Sequence, residues 1–158
     1  MTLNRDVMFS SGKDDWETPK DLFDKLNEEF GFTLDACATD ENAKCPHYFT
    51  EDTDGLSQDW QGQTVYCNPP YSLSGGQDKW VKKCWEESQR PNTTVVALLP
   101  ARTDTIRFHE YIWGKAEVRF IKGRVNFEVG GKPVLNNKGK PQPAPFPSMI
   151  VIWRPDKV

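Results

Sequence analysis

With 158 residues, 37% of them apolar and 27% charged, the chain has the size and composition of a soluble protein built on one core. No apolar run approaches the roughly 20 residues that a membrane helix needs, and residues 1–15 lack the apolar stretch of a signal peptide, so a cytoplasmic protein without a membrane partner is expected. The net charge of -3 hides a split: residues 1–60 carry 15 acids and 5 bases, residues 102–158 carry 11 bases and 5 acids. A basic rear half suits a polyanion, because Lys and Arg contacts to phosphate dominate nucleic-acid affinity.

In chain order, residues 1–15 are polar and aperiodic and read as a flexible tail ahead of a single domain, 16–158. Thr18 as N-cap, Pro19 at the first helical position, and Leu22, Phe23, Leu26 and Phe30 at helical spacing predict a helix that ends at Gly31. Phe32 to Leu34 reads as a short buried strand running out into Asp35-Ala36-Cys37-Ala38, and residues 39–60 are rich in turn formers. Thr64 to Cys67 is a second strand that delivers Asn68. A helix face follows in Trp80, Val81, Cys84 and Trp85, then a strand from Thr94 to Leu99 stopped by Pro100, and a helix from Ile106 to Trp113. Val118–Ile121 and Val125–Val129 are expected to form a hairpin around Lys122-Gly123-Arg124. Residues 130–147 are expected to be a mobile surface loop, and Met149–Trp153 a final buried strand.

Alternating strand and helix signals imply a parallel sheet with helices on its faces, and ligands of such sheets bind beyond the carboxyl ends of the strands. Asp35, Asn68 and Pro100 all emerge there. Four separated cysteines, Cys37, Cys45, Cys67 and Cys84, with no C-x-x-C pair, suggest neither a disulfide framework nor a metal site, although Cys45 and His47 lie close together.

The most informative stretch is VYCNPPYS, residues 65–72. Neither Pro69 nor Pro70 has a backbone donor, and both force an extended path, so Asn68 is held at a strand end by a stiff turn. The Asn68 side-chain carbonyl, together with the Asn68 or Pro69 main-chain carbonyl, makes a pair of acceptors. Such a pair suits a conjugated NH2 group: fixed acceptors on both N–H groups favour a more pyramidal, more nucleophilic nitrogen. Tyr71 can stack on the ring that bears it. Adenine, in DNA or RNA, and a glutamine side chain all satisfy this description. A non-catalytic nucleic-acid-binding module remains the reading from another class.

Asn68-Pro69-Pro70-Tyr71 resembles the NPPY motif of S-adenosylmethionine-dependent amino-methyltransferases, and residues 16–153 are similar to the bacteriophage Dam-type DNA N6-adenine methyltransferases. The resemblance implies an α/β fold of the Rossmann-like methyltransferase type, mostly parallel, with a C-terminal antiparallel hairpin and helices on the faces. It implies S-adenosylmethionine as cofactor, held by Trp16, Thr18 and Pro19, by Asp35, Ala36 and Cys37, and by Asp54 through the cofactor's adenine amine. Asp40 and Glu41 are candidates for the ribose. It implies a catalytic set of Asn68, Pro69, Pro70 and Tyr71 acting on an adenine flipped out of double-stranded DNA. Arg102, Lys122, Arg124, Lys138 and Lys140 are then the DNA-binding candidates, with Arg107, Arg119 and Lys132 as further phosphate contacts and Phe127 as a second stacking ring. Pro100-Ala101-Arg102, Gly123-Arg124-Val125-Asn126-Phe127 and Pro147-Ser148 resemble further family segments. Monomer and homodimer both stay open.

Overall fold

A computed structural model describes residues 16–70 and 76–154. Its centre is a sheet of five strands: β1 (Leu34–Asp35), β2 (Thr64–Cys67), β3 (Thr94–Pro100), β4 (Glu117–Phe120) and β7 (Ser148–Trp153), in the order β1-β2-β3-β7-β4. β1, β2 and β3 pair in parallel, and β7 runs antiparallel to both β3 and β4, so four of the five strands share one direction. Side chains alternate across the sheet as a strand's period of two requires. Val65, Cys67, Val95, Ala97, Leu99, Met149, Val151 and Trp153 face one core; Tyr66, Val96, Leu98, Ile150 and Ile152 face the other. Burial on both faces is why β3 and β7 read as unbroken apolar runs.

Each face is closed by a helix. α1 (Lys20–Phe30) lays Phe23 and Leu26 on the second face, and α2 (Gly76–Ser88) lays Trp80, Val81 and Cys84 on the first. α1 stops because Gly31 turns left-handed, φ 67°, and returns its N–H to the Asn27 carbonyl, a conformation that glycine adopts without steric cost. The helix expected over 106–113 is in place, but Phe108–Ile112 winds as a wide π-type turn, which still points Phe108 and Ile112 into the core.

Four expectations are corrected. Pro19, not Thr18, flanks the first turn of α1; the Thr18 hydroxyl is buried and shares a hydrogen bond with the Tyr66 phenol, a partner which that buried group requires. No hairpin joins 118–121 to 125–129, because β4 spends its pairing on β7. The hairpin lies further on, between β5 (Glu128–Val129) and β6 (Lys132–Pro133), turned by Gly130 and Gly131 at φ 64° and 80°. Residues 130–147 are exposed in their middle, but Ala144 and Phe146 are buried and Ala144 donates to the Val125 carbonyl. Phe127 is buried as well, its ring 5.5 Å from that of Trp16 and 6.5 Å from that of Phe146, so it belongs to the core and not to a DNA-facing surface.

Truncating Phe127 to alanine should therefore cost about 3–5 kcal/mol of stability, as for other buried phenylalanines. Thermal or urea unfolding checks this; unchanged stability with weakened DNA binding would return Phe127 to the DNA-facing set.

Candidate active site

The parallel neighbours β1 and β2 are joined by residues 36–63 without an intervening α-helix; only a short 3-10 turn, Gly55–Ser57, interrupts the loop. Trp60 anchors this connection in the core, and the part before it folds back over the carboxyl ends of the strands. Residues 47–49 lie beside the exit of β1, with Asp35 N–H donating to the His47 carbonyl and Phe49 N–H to that of Asp35. The turn at Gly55 then presses on the same strand end. A Cβ at Gly55 would stand 2.3 Å from the Ala36 carbonyl oxygen, so only glycine permits the approach. The Trp60 indole N–H donates to the Gly55 carbonyl at 3.0 Å and fixes that turn from below.

The enclosed space is a cavity of about 610 Å³. It brings together most of the residues anticipated from the sequence: Trp16, Thr18, Asp35, Ala36, Cys37 and Asp54 share its wall with Asn68 and Pro70. Pro19, Pro69 and Pro100 do not line it, nor do Asp40 and Glu41, and Asp40 instead accepts from the Tyr48 hydroxyl at 2.7 Å. Glu17, inside the Trp16–Pro19 segment expected to hold the cofactor, lines the cavity too, and Lys44, Glu51, Tyr66 and Trp80 join it without an indication from the sequence. Tyr71 falls outside the described residues.

Asn68 sits where β2 ends, and its side-chain Nδ2 donates to the Trp16 carbonyl at 2.7 Å. The amide is thereby oriented, with nitrogen toward the N-terminal segment and its carbonyl as the acceptor end. Behind it, the buried Gln77 at the start of α2 donates Nε2 to the Pro70 carbonyl at 2.8 Å and reaches the Pro69 carbonyl at 3.4 Å. The prolines cannot offer donors of their own, yet their carbonyls are not without competition. Helical periodicity alone could not reveal Gln77, because it lies one turn before the apolar face begins.

Asp35 is buried, and its two carboxylate oxygens accept from the Cys37 and Lys44 backbone N–H groups at 3.3 and 2.9 Å. Burial pushes its pKa from 3.8 up to about 6, against the pull of those two amides. Asp54 differs. It is exposed to the cavity, holds a left-handed backbone (φ 54°), and its carboxylate has no hydrogen-bond partner among the described residues. Burial raises the Cys45 thiol to about 11, with Asp35 adding to the shift, and keeps Cys67 protonated beside Cys84. Among the described residues no cluster of three or more His, Cys, Asp or Glu could hold a metal ion, and no helix there is long and apolar enough to cross a membrane.

Of the basic candidates, Arg102, Lys122, Arg124, Lys132, Lys138 and Lys140 are exposed. Arg102 lies over the Phe146 ring, and Arg124 donates to the Ala144 carbonyl at 3.3 Å. Two others are engaged: Arg107 pairs with Asp78, and Arg119 forks onto both oxygens of Glu29 at 2.7 Å while also bonding Glu117, which raises its pKa further.

A family model described as DNA N-6-adenine-methyltransferase (Dam) matches residues 7–158. The chain is 32% identical over 151 residues to the DNA N-6-adenine-methyltransferase of Haemophilus phage HP1, covering 92% of this chain and 81% of that protein. It is 32% identical over 121 residues to the enzyme of the same name from Escherichia phage T1, covering 75% of this chain and 49% of that longer protein. The chain belongs to the DNA N-6-adenine-methyltransferase (Dam) family.

Because the folded state raises the pKa of Asp35, it binds a proton there more tightly than the unfolded chain does. The contribution of that proton to stability is present below 3.8 and is lost as pH rises through about 6. A carbon-13 titration of the Asp35 carboxyl should show its midpoint near pH 6; a midpoint at or below the ordinary carboxylate value would mean that the two amides outweigh burial.

Proposed function

We propose that this chain, an adenine-specific DNA methyltransferase by its family, draws its methyl group from S-adenosylmethionine held in the cavity and delivers it to the N6 amine of an adenine flipped out of duplex DNA. The observation that carries this reading is the meeting of Asn68 and Pro70 with Trp16, Thr18, Asp35, Ala36, Cys37 and Asp54 around one cavity. Its volume of about 610 Å³ falls within the range of small-molecule sites. Its position at the carboxyl ends of β1 and β2 is where an open α/β sheet binds ligands, which supports the Rossmann-like methyltransferase reading of the fold.

The lining fits the cofactor. Asp54 offers an acceptor that nothing else among the described residues uses, suited to the exocyclic amine of the cofactor's adenine, and Glu17, Asp35, Glu51 and Asp54 surround the space with acid, suited to a cationic ligand. When bound, S-adenosylmethionine supplies an electrophilic methyl group on a sulfonium centre. The chain's own part is positioning. The Asn68 carbonyl oxygen accepts one N–H of the target amine, a main-chain carbonyl of the Asn68-Pro69 unit accepts the other, and the stiff turn holds both acceptors in place before the base arrives. An amine inside a duplex cannot reach this cavity, so the base is extruded, with Tyr71 as the stacking partner. Exposed Arg102, Lys122, Arg124, Lys132, Lys138 and Lys140 supply phosphate contacts. Family membership favours DNA adenine over the RNA and glutamine acceptors that motif chemistry alone leaves open.

Incubating the full chain with labelled S-adenosylmethionine and either duplex DNA or RNA, then mapping methylated adenines by sequencing, tests the proposal; label in RNA but not in DNA would overturn the substrate. Asn68→Ala should keep cofactor affinity within about twofold and lose on the order of 10²–10³ in turnover, the usual consequence of removing a preorganised polar contact. Loss of cofactor binding in that variant would reassign Asn68 to the cofactor pocket.

A further inference from the structure

Residues 16–18 cross the carboxyl end of β2 as a strap, and each is tied to a different element. The Trp16 carbonyl accepts from Asn68 Nδ2 at 2.7 Å, and the Thr18 hydroxyl meets the Tyr66 phenol. Glu17 is tied to the β5–β6 hairpin four times. Its N–H donates to the Glu128 carbonyl at 2.8 Å, its carbonyl accepts from Glu128 N–H at 2.9 Å, and its two carboxylate oxygens accept, at 3.0 Å each, from the N–H groups of Gly131 and Gly130. Both glycines have positive φ, which turns their amides toward the same side and makes a small concave donor site for an anion. A carboxylate that uses one oxygen per amide fills it with charge-assisted bonds.

The Trp16 carbonyl and the Glu17 N–H belong to one peptide unit, which is planar and rigid. One edge of that plane is held by the hairpin and the other holds the Asn68 amide, so the plane cannot tilt without moving both. The geometry points to Glu17 as a positioning residue for methyl transfer: by locking the strap into the Gly130-Gly131 turn it fixes the Trp16 carbonyl, and through it the direction in which the Asn68 carbonyl presents its oxygen. This rests on the role given to Asn68 above. If the strap is released, Asn68 Nδ2 loses its bond to the Trp16 carbonyl, and that hold on the direction of the acceptor is lost.

The test compares wild type, Glu17→Ala and Glu17→Gln as full-length protein. In the cofactor-free state, the nuclear magnetic resonance signals of the Asn68 side-chain NH2 should show a hydrogen-bonded shift and slowed exchange in wild type. Both should move away from their wild-type values in Glu17→Ala and recover in part in Glu17→Gln, which keeps one acceptor oxygen. With S-adenosylmethionine and duplex DNA, Glu17→Ala should lose about ten- to a hundredfold in kcat, the scale expected of a misplaced reacting group, with cofactor dissociation within about twofold of wild type and partial rescue by Glu17→Gln. An unchanged Asn68 signal in either variant overturns the inference, as does a cofactor affinity that collapses in Glu17→Ala, which would make Glu17 a direct ligand contact. Should Glu17→Ala fail to fold, the Asn68 signal and kcat of Glu17→Gln decide alone: both intermediate supports the inference, both at wild-type level overturns it. Wild type inactive on duplex DNA would sink the proposed reaction while leaving the Asn68 signal to decide the positioning claim.

Discussion

One hydrogen bond, from Asn68 Nδ2 to the Trp16 carbonyl, joins positions 52 residues apart in sequence and ties together two residues of the cavity wall. The rest of the arrangement can be understood as what makes that bond possible. A central strand such as β2 is paired on both sides and frees its chain only where it stops, so an asparagine at its end meets whatever segment crosses there. The prolines behind Asn68 prevent it from being absorbed into further sheet pairing, and Gln77 holds their carbonyls from the helix side. The strap in front is itself clamped from two directions, by Tyr66 below and by the β5–β6 turn beside it.

The charge split along the chain leaves the cavity acidic. Acids of the first 60 residues, Glu17, Asp35, Glu51 and Asp54, gather around the cavity, with Lys44 the base among its lining residues. Exposed bases from Arg102 to Lys140 sit on the segments that follow β3. An acidic pocket suits a cationic methyl donor and repels phosphate, whereas the basic segments attract a polyanion. Segregation of this kind keeps attraction for a cation and attraction for a polyanion on different segments of the chain. Within the pocket the acids are not equivalent: the carboxylate of Asp35 is already spent on two backbone amides and shapes the turn, while that of Asp54 has no hydrogen-bond partner among the described residues.

What the sequence made legible follows from the range over which each signal acts. β2, β3 and β7 are continuous apolar runs, and the Asn-Pro-Pro turn is local chemistry, so these could be located without coordinates. The sequence points to Thr18 as a cap because capping preference is judged from neighbours alone, whereas its hydroxyl serves Tyr66, 48 residues away. The hairpin was placed too early because Lys122-Gly123-Arg124 looks like a turn between two apolar runs. In the folded chain β4 satisfies itself on β7, and Val125 and Phe127 turn inward to the core beneath α1. Phe127 carried no mark that separates an aromatic for stacking from one for packing. The roles of Glu17 and Gln77 depend on contacts with Gly130, Gly131 and Pro70, and single-chain periodicity does not encode such pairs.

The loop between β1 and β2 carries the same lesson further. A parallel pair is ordinarily joined by a helix that packs on the sheet, and its 28 residues, 36–63, are enough for one. Here the connection forgoes that helix, and its density of Thr, Asp, Asn and Gly explains why: these residues satisfy backbone groups locally, as Thr50 and Thr53 do for each other and Asn42 for Thr39. A segment stabilised by its own turns need not lie on the sheet, and can arch over the strand ends instead. It is then held in place by a few long-range contacts: Gly55 against Ala36, Trp60 N–H on the buried Glu87, and Lys83 on the Gln58 carbonyl. A turn-rich composition that looks like absence of structure in the sequence is therefore what builds the wall of the cavity.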